Sequence, residues 1–376
     1  MFHWIFKWSR KTMKKTLLLT LTIILMSISL SGCWDLADID KRLFVASFAI
    51  DKDDNNFVVT LTVPSNLTTG STGSNQNQDA PVPSFREESS TIYGALDKLS
   101  LRINRMIDFS HTSVILIGED TARDDLKPIQ EFLERFASVN RRAQISISEG
   151  KAENIEKLHS KLEKQTSVYL DTIYENRNSL GYFVHQDVND FIRMMHSTGG
   201  NMLMSKVKIG PNDAYIGGAA VIKDNKMVGW LDAEETLGIN LIKNKIKNPL
   251  IPCDNITFEV SNSHAKLSVI SSYVPTIGID IKVRCNILEA VELSPTDEKK
   301  IKAAEGIISA RIKSIVYKSL DTIQNEYGFD AIQLGEFLYK FYPDIWKKYQ
   351  QDWNEIFPNV RFIVNVDSTI QKVGSI

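Results

Sequence analysis

The sequence predicts an α+β protein of several domains. Antiparallel and mixed sheets pack with helices, and a long helix lies near residues 297–326. Three observations carry this reading. Apolar residues alternate in short runs such as AQISISEG (143–150) and recur at helical spacing in runs such as DDLKPIQEFLERFASV (124–139). The strand runs come in groups mixed with helices, an order that favours α+β. The chain of 376 residues, 43% hydrophobic and 24% charged, has the balance of a globular protein with about two or three domains.

The first element is a leader. Lys7, Arg10, Lys11, Lys14 and Lys15 precede Leu17 to Leu30, a run of 14 residues without charge. As a helix it rises roughly 21 Å, short of the ~30 Å hydrocarbon core of a bilayer. A basic region, a short apolar region and then Ser31-Gly32 have the form of a secretory signal peptide. Met13-Lys-Lys opens a conventional one, so Met13 stands beside Met1 as a candidate start. Of 44 basic residues, five lie in the first 32 positions, which hold no acid. The other 39 face 46 acidic residues, a net charge of -7. Nothing in that charge favours nucleic acid.

LFVASFAID (43–51) and NFVVTLTV (56–63) read as a hairpin across KDDN. Residues 65–84 are polar and Pro-containing, a loop that cannot bury enough surface to order itself. Its sequon at Asn66 reads as chance. Ile92, Leu96, Leu99, Ile103 and Ile107 mark one helical stripe. HTSVILIGED (111–120) is a buried strand ending in a turn. A helix over 124–139, with Asp124 as its cap, turns Leu126, Ile129, Leu133 and Phe136 inward. Strand 143–150 and helices at KAENIEKLHSKLEK (151–164) and DVNDFIRMMH (187–196) complete an N-terminal α/β region, 33–200, with room for two domains.

The C-terminal α+β region, 201–376, opens on AYIGGAAVIK and KMVGWL, joined by the hairpin loop Asp224-Asn225. A helix follows with Asp232 as cap and Glu234 and Glu235 in its first turn. Strands are expected at 256–260, 265–271 and 277–291. The long helix carries Ile301, Ile308, Ile312, Ile315 and Ile323 on one stripe. A helix with Leu334, Phe337 and Leu338 comes next, then one after Pro343 carrying Trp346 and Trp353, then a closing strand, RFIVNVDSTIQ.

Candidate sites are few. The six histidines form no HExxH, no Gly-x-Ser-x-Gly occurs, and His111 reads as a capping or packing residue. Glu234 and Glu235 are adjacent on a helix and point about 100° apart, so they do not converge on a metal. Gly217, Gly218 and Gly229 fit close backbone approach, not a nucleotide loop. No catalytic residue, metal or cofactor is expected. Cys253 and Cys285 could pair or stay free; sequence leaves both open. Trp346, Trp353 and Phe357, spaced by seven and four, share a helix face that is either core or a partner surface.

Leu30-Ser31-Gly32-Cys33 resembles the lipobox of bacterial lipoproteins. That resemblance implies cleavage before Cys33, so that 1–32 is removed, with an S-diacylglycerol on the thiol and an N-palmitoyl chain on the new amino group. GGAAVIKDNKMVGWLDAEETLG (217–238), GFDAIQLGEFLYKFYPDIWKKYQQDWNEIFPNVRF (328–362), IDFSHTSVILIGED (107–120) and Cys33-Trp34-Asp35 resemble the spore germination C-subunit family, Ger(x)C. The resemblance implies three α+β domains and no catalysis. It implies a lipoprotein subunit of a nutrient germinant receptor on the spore inner membrane, partnered by integral-membrane A and B subunits. Whether such a subunit touches the nutrient stays open. The polar loop at 65–84 is longer than the family pattern. A lipid-anchored solute-binding protein is the alternative, but that class shows two repeated βαβ lobes, which this order of elements lacks.

Overall fold

Val114 to Gly118 are buried at every position because helices cover both faces of the sheet they centre. The computed structural model describes residues 13–24, 26, 39–64, 83–158, 166–175, 181–211, 213–272, 275–290 and 297–373. They form two units, Met1–Arg42 and Leu43–Ile376. The first holds helix α1 (13–24), whose Leu17, Leu18 and Leu21 are exposed. No helix among the described residues is long and apolar enough to cross a membrane. Cys33, Trp34, Asp35 and the loop up to residue 82 lie outside the described residues.

The second unit is built on two main sheets. The larger has eight strands in the order β10-β9-β8-β7-β6-β2-β3-β4. They are β2 (Ser47–Asp53), β3 (Asn56–Thr62), β4 (Ser84–Ser89), β6 (Val114–Gly118), β7 (Gln144–Ser148), β8 (Met202–Ile209), β9 (Ala214–Lys223) and β10 (Lys226–Leu231). The four central strands are parallel and both ends are antiparallel. Two short strands, β1 (Arg42–Phe44) and β5 (Met106–Asp108), form a separate ribbon.

Side chains alternate across the sheet. Ile115, Ile117, Ile145 and Ile147 face α2 (Ile92–Arg102), α4 (Lys127–Arg135) and α7 (Val188–Ser197). Val114 and Leu116 face α5 (Ala152–Glu156) and α6 (Thr166–Glu175). The expected hairpins are present. The Asp224-Asn225 loop has φ of 52° and 66°, the two left-handed residues of a type I′ turn.

The smaller sheet has the order β11-β12-β13-β14, from β11 (Leu250–Cys253), β12 (Ile256–Ser271), β13 (Thr276–Ala290) and β14 (Arg361–Val373). Helix α8 (Ala233–Ile242) and the long α9 (Glu298–Asp321), which continues through a π turn over Thr322–Glu326, pack on its inner face. The edge strand β14 is covered from α9. Tyr317 Oη accepts from Val364 N at 3.1 Å, and Glu305 Oε1 accepts from Ile370 N at 3.0 Å.

Several expected elements shift. The strands expected at 256–260 and 265–271 are one strand, β12, paired with β13 along its length. The helix from Ile92 ends at Arg102; Ile103 caps it and Ile107 belongs to β5. Gly118 is followed by a short helix, α3 (Glu119–Asp124), not a turn. Asp124 therefore closes α3 and pairs with Lys52, while Asp125 Oδ1 accepts from Lys127 N at the start of α4. The segment after Pro343 is broken into α11 (Pro343–Tyr349) and α12 (Trp353–Ile356), preceded by α10 (Leu334–Phe341). A continuous helix would separate residues 346 and 353 by roughly 10 Å. The break folds their rings to 5.3 Å, edge to face.

One buried acid sits under α5. Glu156 is 3% exposed; Ser47 Oγ donates to its Oε2 at 2.6 Å, and Oε1 has no partner among the described residues. Asp51 beside it accepts from the backbone of Ala152 and Glu153, both at 2.8 Å. Burial pushes the Glu156 carboxyl up to about 7. The folded state therefore keeps a proton that the unfolded chain, near 4.5, has released. Stability falls as pH rises through that window. Glu156→Gln is expected to melt several degrees higher at pH 8 and no higher at pH 4. The gain corresponds to roughly 3 kcal/mol at most. Parallel melting curves for the two proteins from pH 4 to 8 would refute a buried protonated carboxyl.

Candidate functional site

Three of the four stretches that carry the resemblance, 107–120, 217–238 and 328–362, meet at one joint, and α8 is its centre. Every residue of α8 from Thr236 to Ile242 is buried. Leu203, Ala219, Val221 and Leu231 of the large sheet share one core with Phe258, Ile279 and Ile281 of the small sheet and with α8 and α9. A helix surrounded this way must satisfy its polar groups inside the protein. Its first turn does so with a capping box. Asp232 Oδ1 accepts from Glu235 N at 2.7 Å, and Asp232 N donates to Glu235 Oε2 at 2.8 Å. Asn240, 4% exposed, donates to the carbonyls of Gly181 and Phe183, both at 2.9 Å.

The two glutamates do not converge. Glu234 takes Arg311 of α9 at 2.5 Å, while Glu235 accepts from Thr322 Oγ1 at 2.8 Å. Lys318 lies 2.5 Å from Asp232. Burial alone would raise the Asp232 carboxyl. The Lys318 ammonium and the helix N–H groups outweigh it and hold the group below its usual value. The same hydrogen bond raises Lys318.

Glycines allow the approach. Gly218 has φ of 90°, and a Cβ there would stand 2.5 Å from the Leu231 carbonyl oxygen. A Cβ on Gly238 would meet Ser319 Oγ at 2.0 Å and the Ile315 carbonyl at 2.9 Å, so α8 and α9 touch at that point. Gly229 makes way for the Tyr327 ring, whose hydroxyl donates to the Trp230 carbonyl at 2.9 Å. Lys223 Nζ donates to the carbonyls of Tyr327 and Gly328 at 3.2 and 3.4 Å. Trp230 Nε1 donates to Glu119 Oε1 at 3.2 Å, with Lys206 4.5 Å above its ring. Glu119 comes from the 107–120 stretch, Gly218 and Trp230 from 217–238, and Gly328 from 328–362.

The third stretch closes on itself through Asp330. Its carboxylate accepts from the backbone of Leu334 and Gly335, both at 2.8 Å, and from Trp353 Nε1 at 3.1 Å. Burial raises its pKa against those bonds. Phe357 is 1% exposed, and Trp346 and Trp353 are partly buried against the same core. All three form one aromatic cluster over Gly335, on three short elements instead of one helix face. Asp330 was not singled out from sequence. It caps α10 from four residues upstream across Gln333, whose φ is 59°, so the usual cap-to-helix spacing is absent.

Other residues fall into place singly. His111 packs edge to face on Phe44 at 4.7 Å, with Nδ1 3.0 Å from Ser110 Oγ. Cys253 and Cys285 are buried free thiols. Strand β12 runs between theirs, and burial pushes Cys285 up to about 12. Among the described residues no group of three His, Cys, Asp or Glu is placed to hold a metal ion.

Fold and joint together define a two-sheet α+β module braced by a buried helix. The chain belongs to the spore germination receptor C-subunit family. Residues 35–209 match the spore germination protein N-terminal domain, and 217–374 match the spore germination B3/GerAC-like C-terminal domain. Spore germination protein KC of Bacillus subtilis is 24% identical, with 93% of this chain and 94% of that protein aligned. Spore germination protein B3 of the same organism is also 24% identical, over 93% and 96%. The crystal structure of the GerBC protein shares the fold, with a TM-score of 0.58 at 20% identity, over 86% of this chain and 96% of that one.

The joint gives a packing test. Gly238→Ala should cost about 1–3 kcal/mol by overpacking α8 on α9. Adding Ser319→Ala should recover part of that loss, since it removes the nearest obstacle and leaves Ser319 Cβ and the Ile315 carbonyl at 2.9 Å. Denaturant unfolding of the four proteins measures the coupling, and additive losses would refute the contact of Gly238 with the Ser319 hydroxyl.

Proposed function

We propose that this protein is a non-catalytic, lipid-anchored subunit of a nutrient germinant receptor. It assembles with integral-membrane A and B subunits on the extracytoplasmic face of the spore inner membrane. The observation that carries the reading is positional. The family match begins at residue 35, two residues beyond Cys33 and its lipobox-like leader. Membership in the family supports the germination role. The joint supports a scaffolding part, since its charged groups are spent on each other and on helix ends.

Two acyl chains suffice for stable anchoring. The segment from Trp34 to Arg42 reaches at most about 30 Å when extended, so the folded body stays near the bilayer. Confinement to the surface raises its effective concentration beside membrane partners.

Cys33→Ala is expected to abolish incorporation of labelled fatty acid and release the protein from membranes. Cys253 and Cys285 are buried, so neither offers the label an exposed thiol in the folded protein. Label retained by the variant would refute the anchor. Deleting the gene should slow nutrient-triggered germination and leave vegetative growth normal; unchanged germination would refute the receptor role.

A further inference from the structure

The folded body has a basic corner at the end of α2, where the chain bends into β5. Between Asp97 and Asp108 the sequence holds three cations, Lys98, Arg102 and Arg105, and no acid. The neighbouring strand β4 supplies Glu87 to Arg102 and Glu88 to Arg86. Lys98 donates to the Glu88 carbonyl at 2.8 Å, and Arg105 forms no ion pair among the described residues.

The same corner exposes apolar side chains. Leu101 is 84% exposed, the highest value for a large apolar side chain of the second unit among the described residues, and Met106 is 61% exposed. The short chain between them keeps them within about 18 Å of each other. Packing does not account for them, because α2 meets the core through Leu96 and Leu99. The chain also enters the body here. Leu43 is the first residue of the second unit and lies in β1, which pairs with β5. Paired strands run about 5 Å apart, so Leu43 stands within about 9 Å of Met106. The tether, Trp34 to Arg42, therefore ends at this corner.

We propose that this corner rests on anionic lipid headgroups. Leu101 and Met106 enter the interfacial layer, and Lys98 and Arg105 lie at the depth of the phosphates. Residues 33–376 as a whole are acidic, 39 basic against 46 acidic residues, so an anionic surface repels most of the body and attracts this part of it. Tyr339 and Phe341 of α10 are also exposed, but Glu336 and Asp344 flank them, and that mixed charge suits an anionic surface less. The proposal rests on the lipid-anchor reading and adds to it which side of the body faces the bilayer. The other faces are left open to protein partners.

The test places an environment-sensitive fluorophore on Leu101→Cys or, as a comparison, on Tyr339→Cys. Cys253 and Cys285 are buried and do not compete for it. The full acylated chain is reconstituted in vesicles of phosphatidylcholine with or without phosphatidylglycerol, and no other protein is present. With phosphatidylglycerol, the probe at 101 should shift to the blue and lose emission to a lipid-borne quencher, while the probe at 339 stays in water. Lys98→Glu with Arg105→Glu should abolish that shift, with an unchanged melting temperature as the check on folding. A probe at 101 that stays in water would overturn the proposal. So would equal shifts at 101 and 339, a shift that survives the charge reversal, or one that grows with protein concentration in detergent alone, which would mean a second copy covers the corner. The mass of the N-terminal peptide separates the two readings. An unmodified N-terminus would refute the anchor and this orientation together, whereas an acylated chain with a wet probe at 101 would refute the orientation alone.

Discussion

Helix α8 is the constraint on which the structure depends. It is buried on every side, so water satisfies none of its central polar groups. The capping box at Asp232 and Glu235, the side chain of Asn240 and the bare backbone of Gly238 each answer a need created by that burial. The neighbouring architecture follows. The β9–β10 hairpin extends the large sheet and delivers the chain into α8, and α9 lies across it carrying Arg311 and Lys318 to its acidic first turn. The small sheet then shares one apolar core with the β8–β10 end of the large sheet, while the rest of the large sheet has cores of its own on both faces.

This arrangement explains why stretches far apart in the chain belong together. Glu119, Trp230, Lys223 and Tyr327 are joined by hydrogen bonds, although they come from separate parts of the sequence. Each orients another part of the joint: Glu119 is paired with Arg123, and Lys223 is held by two backbone carbonyls. Beside the joint, Gln186 Oε1 is buried without a hydrogen-bond partner among the described residues, and Lys243 reaches the Ala331 carbonyl at 3.4 Å.

Much of the fold was legible because it is local. Hydrophobic period, the Asp224-Asn225 turn and the Asp232 cap depend on neighbours within a few residues, and most elements they indicate are present, among them the β9–β10 hairpin and α8. The failures share a cause. Asp124 was a sound cap by composition, but Lys52 from a distant strand takes it and Asp125 serves α4. The helix through Trp346 and Trp353 was sound by spacing, but Asp330 binds the Trp353 indole and draws the chain back over Gly335. Strand β12 continues through polar residues because β13 pairs it throughout. In each case a long-range contact outweighed a local preference worth about 1 kcal/mol or less.

The sequence by itself determined the α+β class, the order of most elements, the basic and apolar stretch ahead of Cys33, and the family. These rest on periodicity, turn chemistry and motif order, all of which are written along the chain. Only the tertiary structure decided that the two sheets share α8, that Glu156 is buried beneath α5 and that the two later cysteines stay free. Burial and partnership across long sequence separations set those features, and no local pattern encodes which distant groups will meet.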